Sequence, residues 1–180
     1  MPKIFLKRPI NTNTLIALAA SLASICAVFI AVYQTYMSRQ QQLNSVWPYL
    51  LTFESMDEAG ISSIVVANYG IGPAIIDSVE ISYRGNIYGS PTDVVRVISK
   101  EFKKNEYAMP WSYTQIRKGY AIPQGHTLEW IKLNTPEDNA IFAKELPNIK
   151  MVIYYRSIYD EHWKNTINGE ETDELVVKIE

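Results

Sequence analysis

Hydrophobic and polar residues divide this chain of 180 residues into stretches of different grammar. Leu15 to Tyr33 is nineteen residues without a charge, a proline or a glycine. At 1.5 Å rise per residue, roughly 20 apolar residues cross the ~30 Å hydrocarbon layer, and in lipid a helix satisfies every backbone N–H and C=O internally. The pattern predicts a transmembrane helix over 15–36, after a basic tail over 1–14. Tyr33 and Tyr36 lie one turn apart at its far edge, where wet aromatic rings are favoured. The polar run Gln34 to Leu43 contains good helix formers and no breaker, so a helical stalk over 37–45 follows, ended at the latest by Pro48.

From residue 46 onward the period changes to two. Trp47 to Phe53, Ile61 to Tyr69, Ala74 to Tyr83, Thr127 to Leu133, Lys150 to Ile158 and Glu174 to Ile179 are short runs rich in β-branched and aromatic residues, bounded by Gly, Pro, Asn or Asp. Val79, Ile81 and Tyr83 alternate with Ser78, Glu80 and Ser82, which predicts one buried and one wet face. Regular short strands with turn signals between them predict a mainly β domain over 46–180, an antiparallel β-sandwich or small barrel.

Two segments break into helical spacing. Ser90-Pro91-Thr92-Asp93 offers a cap and a first-turn proline before Val94, Val95, Ile98 and Phe102. Thr135 caps a second candidate over Pro136 to Leu146, with Glu137 and Asp138 in the first turn and Lys144 near the end, as the helix dipole prefers. Both are expected to cover the sheets.

Charge sharpens the membrane reading. The first 39 residues carry +4 and no acid; beyond them stand 13 basic and 19 acidic residues, a net −6. Lys3, Lys7 and Arg8 precede the apolar run, and only Arg39 follows it before Arg84. The positive-inside rule then predicts a cytoplasmic N-terminus and an extracytoplasmic C-terminal domain, single-pass in the inner (plasma) membrane. A cleaved signal is disfavoured, because Ala31-Val32-Tyr33 puts tyrosine where a small residue is needed. Cys26 lies mid-run after Ile25, which does not suit a lipoprotein signal either.

The same charges argue against nucleic acid, since the densest basic group, Lys100, Lys103 and Lys104, is interleaved with Glu101 and Glu106. With Cys26 the only cysteine, no intrachain disulfide is available, and stability must come from burying part of four Trp, twelve Tyr and five Phe.

Catalytic chemistry is sparse. His126 and His162 are the only histidines and no cysteine lies near them, so neither a structural zinc site nor another cofactor is expected. Asp160-Glu161-His162 reads as a hairpin loop between Tyr159 and Trp163. No Gly-x-Ser-x-Gly elbow or Walker loop is present. Tyr69-Gly70-Ile71-Gly72-Pro73-Ala74 joins two strands and does not open a helix, so its glycines are expected to serve a turn at positive φ.

That segment, read as Asn68 to Ile76, together with Val46-Trp47-Pro48-Tyr49 and Tyr155-Arg156-Ser157-Ile158-Tyr159-Asp160, resembles a broad group of bacterial proteins with one N-terminal anchor and an immunoglobulin-like β-sandwich. The resemblance implies architecture; its motifs are turn and strand residues and bring no catalytic positions with them.

Two features point to partners. Ala19, Ala23, Ala27 and Ala31, with Ser24 beside them, make a stripe of small side chains that lets helix backbones approach closely in a bilayer. It predicts self-association or docking against another membrane protein. Trp111, Tyr113, Arg117 and Tyr120 are residue types that anchor interfaces and form the candidate partner-binding patch. The expected function is a membrane-anchored, non-catalytic module that binds a protein or peptide. The alternative is a membrane-associated sensor or effector subunit of a bacterial signalling or defence pathway, with its domain in the cytoplasm.

Overall fold

The computed structural model describes residues 11–102, 111–168 and 175–179. The basic residues Lys3, Lys7 and Arg8, and Lys103, Lys104, Met109, Pro110 and Glu174, lie outside them. The described chain forms two compact units, Met1–Asn44 and Ser45–Glu180.

Among the described residues the first unit holds one helix, α1 (Thr12–Asn44), unbroken over 33 residues and with no buried residue. By length and composition it can cross a membrane. The hydroxyls of Ser21, Ser24 and Thr35 donate to the carbonyls of Ala17, Ala20 and Ala31 one turn earlier, at 2.9, 2.8 and 2.8 Å. Both serines of the apolar run therefore have a partner within the helix, which is what an apolar surrounding demands.

The second unit is built from two antiparallel sheets. One contains β1 (Leu50–Met56), β2 (Ser62–Asn68), β7 (Thr127–Leu133) and β5 (Trp111–Tyr113), in that spatial order. The other runs β10 (Val176–Ile179), β9 (His162–Ile167), β8 (Ile149–Arg156), β3 (Ala74–Tyr83), β4 (Asn86–Tyr88), with β6 (Ala121–Ile122) pairing to β3. Side chains from both sheets meet in one core. Leu50, Ile64, Val66 and Trp130 come from the first sheet, and Ile76, Met151, Ile153 and Tyr155 from the second. Each fully buried Leu, Ile or Val contributes about 1.5–3 kcal/mol relative to an exposed one.

Two helices lie between strands. Helix α2 (Pro91–Glu101) buries Val94, Val95 and Ile98, and the Ser90 cap accepts from Asp93 N at 3.3 Å while its hydroxyl donates to Asp93 Oδ2 at 2.8 Å. Helix α3 (Pro136–Glu145) is capped by Thr135 in the same way, and a 3-10 turn over Leu146–Asn148 leads into β8.

Alternation along β3 is interrupted once. Ala74 and Ile76 are buried, then a bulge between Ile76 and Ser78 inserts Asp77, and burial resumes at Ile81 and Tyr83. The extra residue re-phases the strand, so both halves keep their apolar side chains on the core face. The expected first strand from Trp47 is corrected: pairing starts at Leu50, because residues 46–49 are engaged differently.

Residues 46–49 form a strap against the β2–β3 connection. Tyr69 N donates to Tyr49 O at 2.9 Å and Ile71 N to Trp47 O at 2.9 Å. A Cβ on Gly70 would lie 2.3 Å from Tyr49 N, and one on Gly72 only 2.0 Å from Val46 O. Neither glycine has positive φ. The expectation of a left-handed turn is thus replaced by a different requirement, close approach of two backbones. Segments that the sequence shows far apart, 46–49 and 68–73, are one structural piece.

Candidate functional site

A cleft of about 310 Å³ opens beside β5, the edge strand of the first sheet. Its apolar lining comes from both sheets: Val79 and Ile81 of β3, Trp130 of β7, and Ile116 from the segment after β5. Its polar lining is the α2 capping turn with Ser90 and Thr92, and Tyr113, Gln115 and Arg117. The burial pattern explains why it exists. Val79 points inward yet is only partly covered, while Ile81 and Trp130 beside it are buried. The exposed lining is more polar than apolar, so this is a small, mainly polar cleft with Val79 and Ile116 as its apolar contribution.

The structure brings together two of the four residues of the candidate patch. Tyr113 is half exposed and lines the cleft with Arg117, which is also exposed. Trp111 is partly buried against the core and stacks on Tyr113, with ring centroids 5.1 Å apart. Tyr120 also packs partly buried against the core, and its carbonyl accepts from Ile76 N at 2.8 Å. Trp111 therefore orients the Tyr113 ring from behind, and Tyr120 ties the segment after β5 to β3. Ala19, Ala23, Ala27, Ala31 and Ser24 are all exposed on α1.

A second polar cluster sits on the outer face of the other sheet. The bulge residue Asp77 accepts from Arg156 Nε at 3.1 Å and lies 3.1 Å from His162 Nδ1, while Arg156 Nη1 reaches Asp160 at 3.0 Å. His162 is not in a loop as expected but opens β9; the turn ends before it, with Asp160 at φ +65°. Sequence reasoning saw Asp160 and His162 and missed Asp77, whose only signal was the break in alternation. Among the described residues no group of three His, Cys, Asp or Glu is arranged to hold a metal ion.

A third cluster joins β3 to both helices. Tyr83 donates to Glu145 at 2.8 Å, Arg84 bridges Glu145 and Glu101 at 2.8 and 2.6 Å, and Asn148 donates to Glu145 at 2.9 Å. The Tyr83 hydrogen bond, with those from Asn148 and Arg84, holds the Glu145 carboxyl below its ordinary range. Burial, and then the carboxylate of Glu145, push the Tyr83 phenol up. These bonds fasten β3 and the turn after it to both helices.

A family model described as Domain of unknown function (DUF8453) matches residues 12–179. The chain belongs to this family. The match runs through α1 and the sheet domain alike, so the DUF8453 unit includes the apolar helix as well as the strands. No curated protein and no solved structure matches the chain.

Proposed function

We propose that this DUF8453 protein is a membrane-anchored, non-catalytic binding module: α1 spans the membrane once, and an immunoglobulin-like β-sandwich takes a protein or peptide partner in the cleft beside β5. The observation that carries the reading is the cleft itself, where Val79 and Ile116 meet a polar lining that includes Tyr113 and Arg117 at the edge strand. Such a site suits a short segment that inserts an apolar side chain and presents a carboxylate to the guanidinium.

Strand order supports the immunoglobulin-like part. The order β1, β2, β7, β5 is the order expected of strands A, B, E and D, and β9, β8, β3 that of G, F and C, with β4 beside C. The resemblance noted in the strap and turn segments agrees with it. The basic N-terminal tail supports an extracytoplasmic domain, and the alanine stripe supports association of α1 with a second membrane helix.

The test places a photo-crosslinker at Thr114, on the cleft, or at the exposed Met56 on β1, in full-length protein in its native membranes. The expected outcome is one discrete adduct from Thr114 that Arg117→Glu abolishes, and none from Met56. Adducts that ignore Arg117→Glu, or that form equally from Met56, overturn the cleft. A C-terminal tag on the same protein should be cleaved by protease in intact spheroplasts; protection until lysis overturns the orientation and favours the cytoplasmic sensor or effector.

A further inference from the structure

Three segments of the domain end up side by side at the end where the chain arrives from α1. Leu50 pairs with Asn68, so residues 45–49 and 69–73 leave the first sheet at the same end. Ile75 pairs with Arg156, which places the β8–β9 turn, residues 157–161, beside residues 69–73. The Tyr155 hydroxyl accepts from Leu50 N at 3.3 Å and ties the two sheets together there. From these segments five large apolar side chains stand in solvent: Trp47 (44% exposed), Tyr69 (62%), Ile71 (51%), Ile158 (51%) and Tyr159 (47%).

This exposure is not relieved by charge. Residues 45–49, 69–73 and 157–159 contain no Lys, Arg, Asp or Glu. The β8–β9 turn also carries Asp160 and Glu161, and the charged groups there are paired, Arg156 with Asp77 and Asp160, and Glu161 with Lys178. An end that presents Trp, Tyr and Ile without charge fits the boundary between headgroups and hydrocarbon, where indole and phenol rings place an apolar body and a wet tip. The covalent tether keeps that boundary within reach. The apolar run ends at Tyr33, and the eleven residues to Asn44 rise at most about 16 Å as helix. The three residues onward to Trp47 can span about 11 Å, and the headgroup layer is ~5–7 Å deep on each side.

We propose that this end of the domain docks on the headgroup layer of the membrane that holds the anchor, with Trp47, Tyr69, Ile71, Ile158 and Tyr159 inserted and the Asp77, Arg156 and Asp160 collar left in water; the inference rests on the reading of α1 as a membrane span. Because the inserted surface is uncharged, docking requires neither anionic lipid nor low salt. It also explains the backbone strap: glycines at 70 and 72 press the Ile71 tip and the Trp47 segment into one rigid edge.

The test uses full-length protein with Cys26→Ala, reconstituted in phosphatidylcholine vesicles and spin-labelled singly at Ile71→Cys, Ile158→Cys, Met56→Cys or Val28→Cys. Accessibility to oxygen relative to a water-soluble nickel complex should be several-fold higher at 71 and 158 than at 56, and unchanged by phosphatidylglycerol or added salt. Labels at 71 and 158 as water-accessible as 56, with 28 lipid-exposed, overturn docking and leave the anchor standing. A water-accessible label at 28 overturns the anchor and the docking with it. Spin–spin broadening at 71 and 158 without oxygen accessibility assigns the surface to a second copy and also overturns docking. The unlabelled protein gives an independent reading, since Trp130 and Trp163 are buried in the core. Headgroup-proximal bromolipid should quench a fluorescence component that Trp47→Phe removes; quenching unaffected by that substitution counts against insertion.

Discussion

The Asn68 side chain is fully buried and spends all its polar capacity on backbone. Its oxygen accepts from Tyr49 N at 3.2 Å and Gly70 N at 3.0 Å, and its amide donates to Gly72 O at 2.8 Å and Ile122 O at 2.9 Å. One residue thereby joins the strap, the β2–β3 connection and β6. Asn68→Ala would strand several buried backbone groups at about 1–3 kcal/mol each, so chemical unfolding followed by core tryptophan fluorescence should show a loss of at least ~3 kcal/mol. Gly72→Ala should cost at least as much, since its Cβ would meet the Val46 carbonyl and neither partner is a movable side-chain tip. Gly85→Ala is the informative contrast. It meets nothing within 4 Å, and its penalty is limited to positive φ, about 1 kcal/mol. Equal losses at 72 and 85 would refute the close-approach account.

Elements were legible in the sequence to the degree that their causes are local. Helices α2 and α3 were readable to within a residue because Ser90 and Thr135 cap them and Pro91 and Pro136 follow. Strands β3 and β7 were readable end to end because both carry long β-branched and aromatic runs. What stayed hidden was non-local. Strands β4, β5 and β6 are two or three residues long, and their partners, not their own composition, define them. His162 to Ile167 reads as polar because Lys164 and Asn165 fall within it, yet β8 and β10 recruit it on both sides. The cleft was half visible: Tyr113 and Arg117 are interface residue types, but Val79, Ser90 and Trp130 join them only through the sheet crossing.

At this scale the fastening of α3 to β3 also makes a pH prediction. Glu145 ends α3, where the helix dipole disfavours a carboxylate, and three donors, Tyr83, Arg84 and Asn148, offset that cost. Its folded-state value lies below the ordinary 4.5. Its contribution is therefore fully present above about pH 4.5 and is lost as pH falls through the lower folded value. Glu145→Gln should lower stability at neutral pH and flatten the acid limb of the stability curve below pH 4.5. An unchanged acid limb in that variant would assign the acid sensitivity to other carboxylates.

For the whole molecule, the division that matters is where the domain begins. Strand pairing starts at Leu50, which invites a boundary there, whereas the compact unit starts at Ser45. The five residues between are part of the fold: Pro48 is buried, Trp47 O accepts from Ile71 N and Gly72 N, and Tyr49 carries bonds to Tyr69 and Asn68. A fragment of residues 45–180 should unfold cooperatively, with the midpoint the domain shows in the full-length protein. A fragment of residues 50–180 exposes Gly70 and Gly72, takes from the Asn68 oxygen one of its two donors and removes three backbone bonds. At about 0.5–1.5 kcal/mol net for each bond, with added cost for uncovered apolar surface, it should lose several kcal/mol. If both fragments unfold alike, the strap is only a linker and the rigid uncharged edge proposed to meet the bilayer loses its foundation. If only the shorter one fails, the chain just beyond the helix is built into the domain, and any force on the anchor is delivered directly to the loops that carry Ile71 and Tyr69.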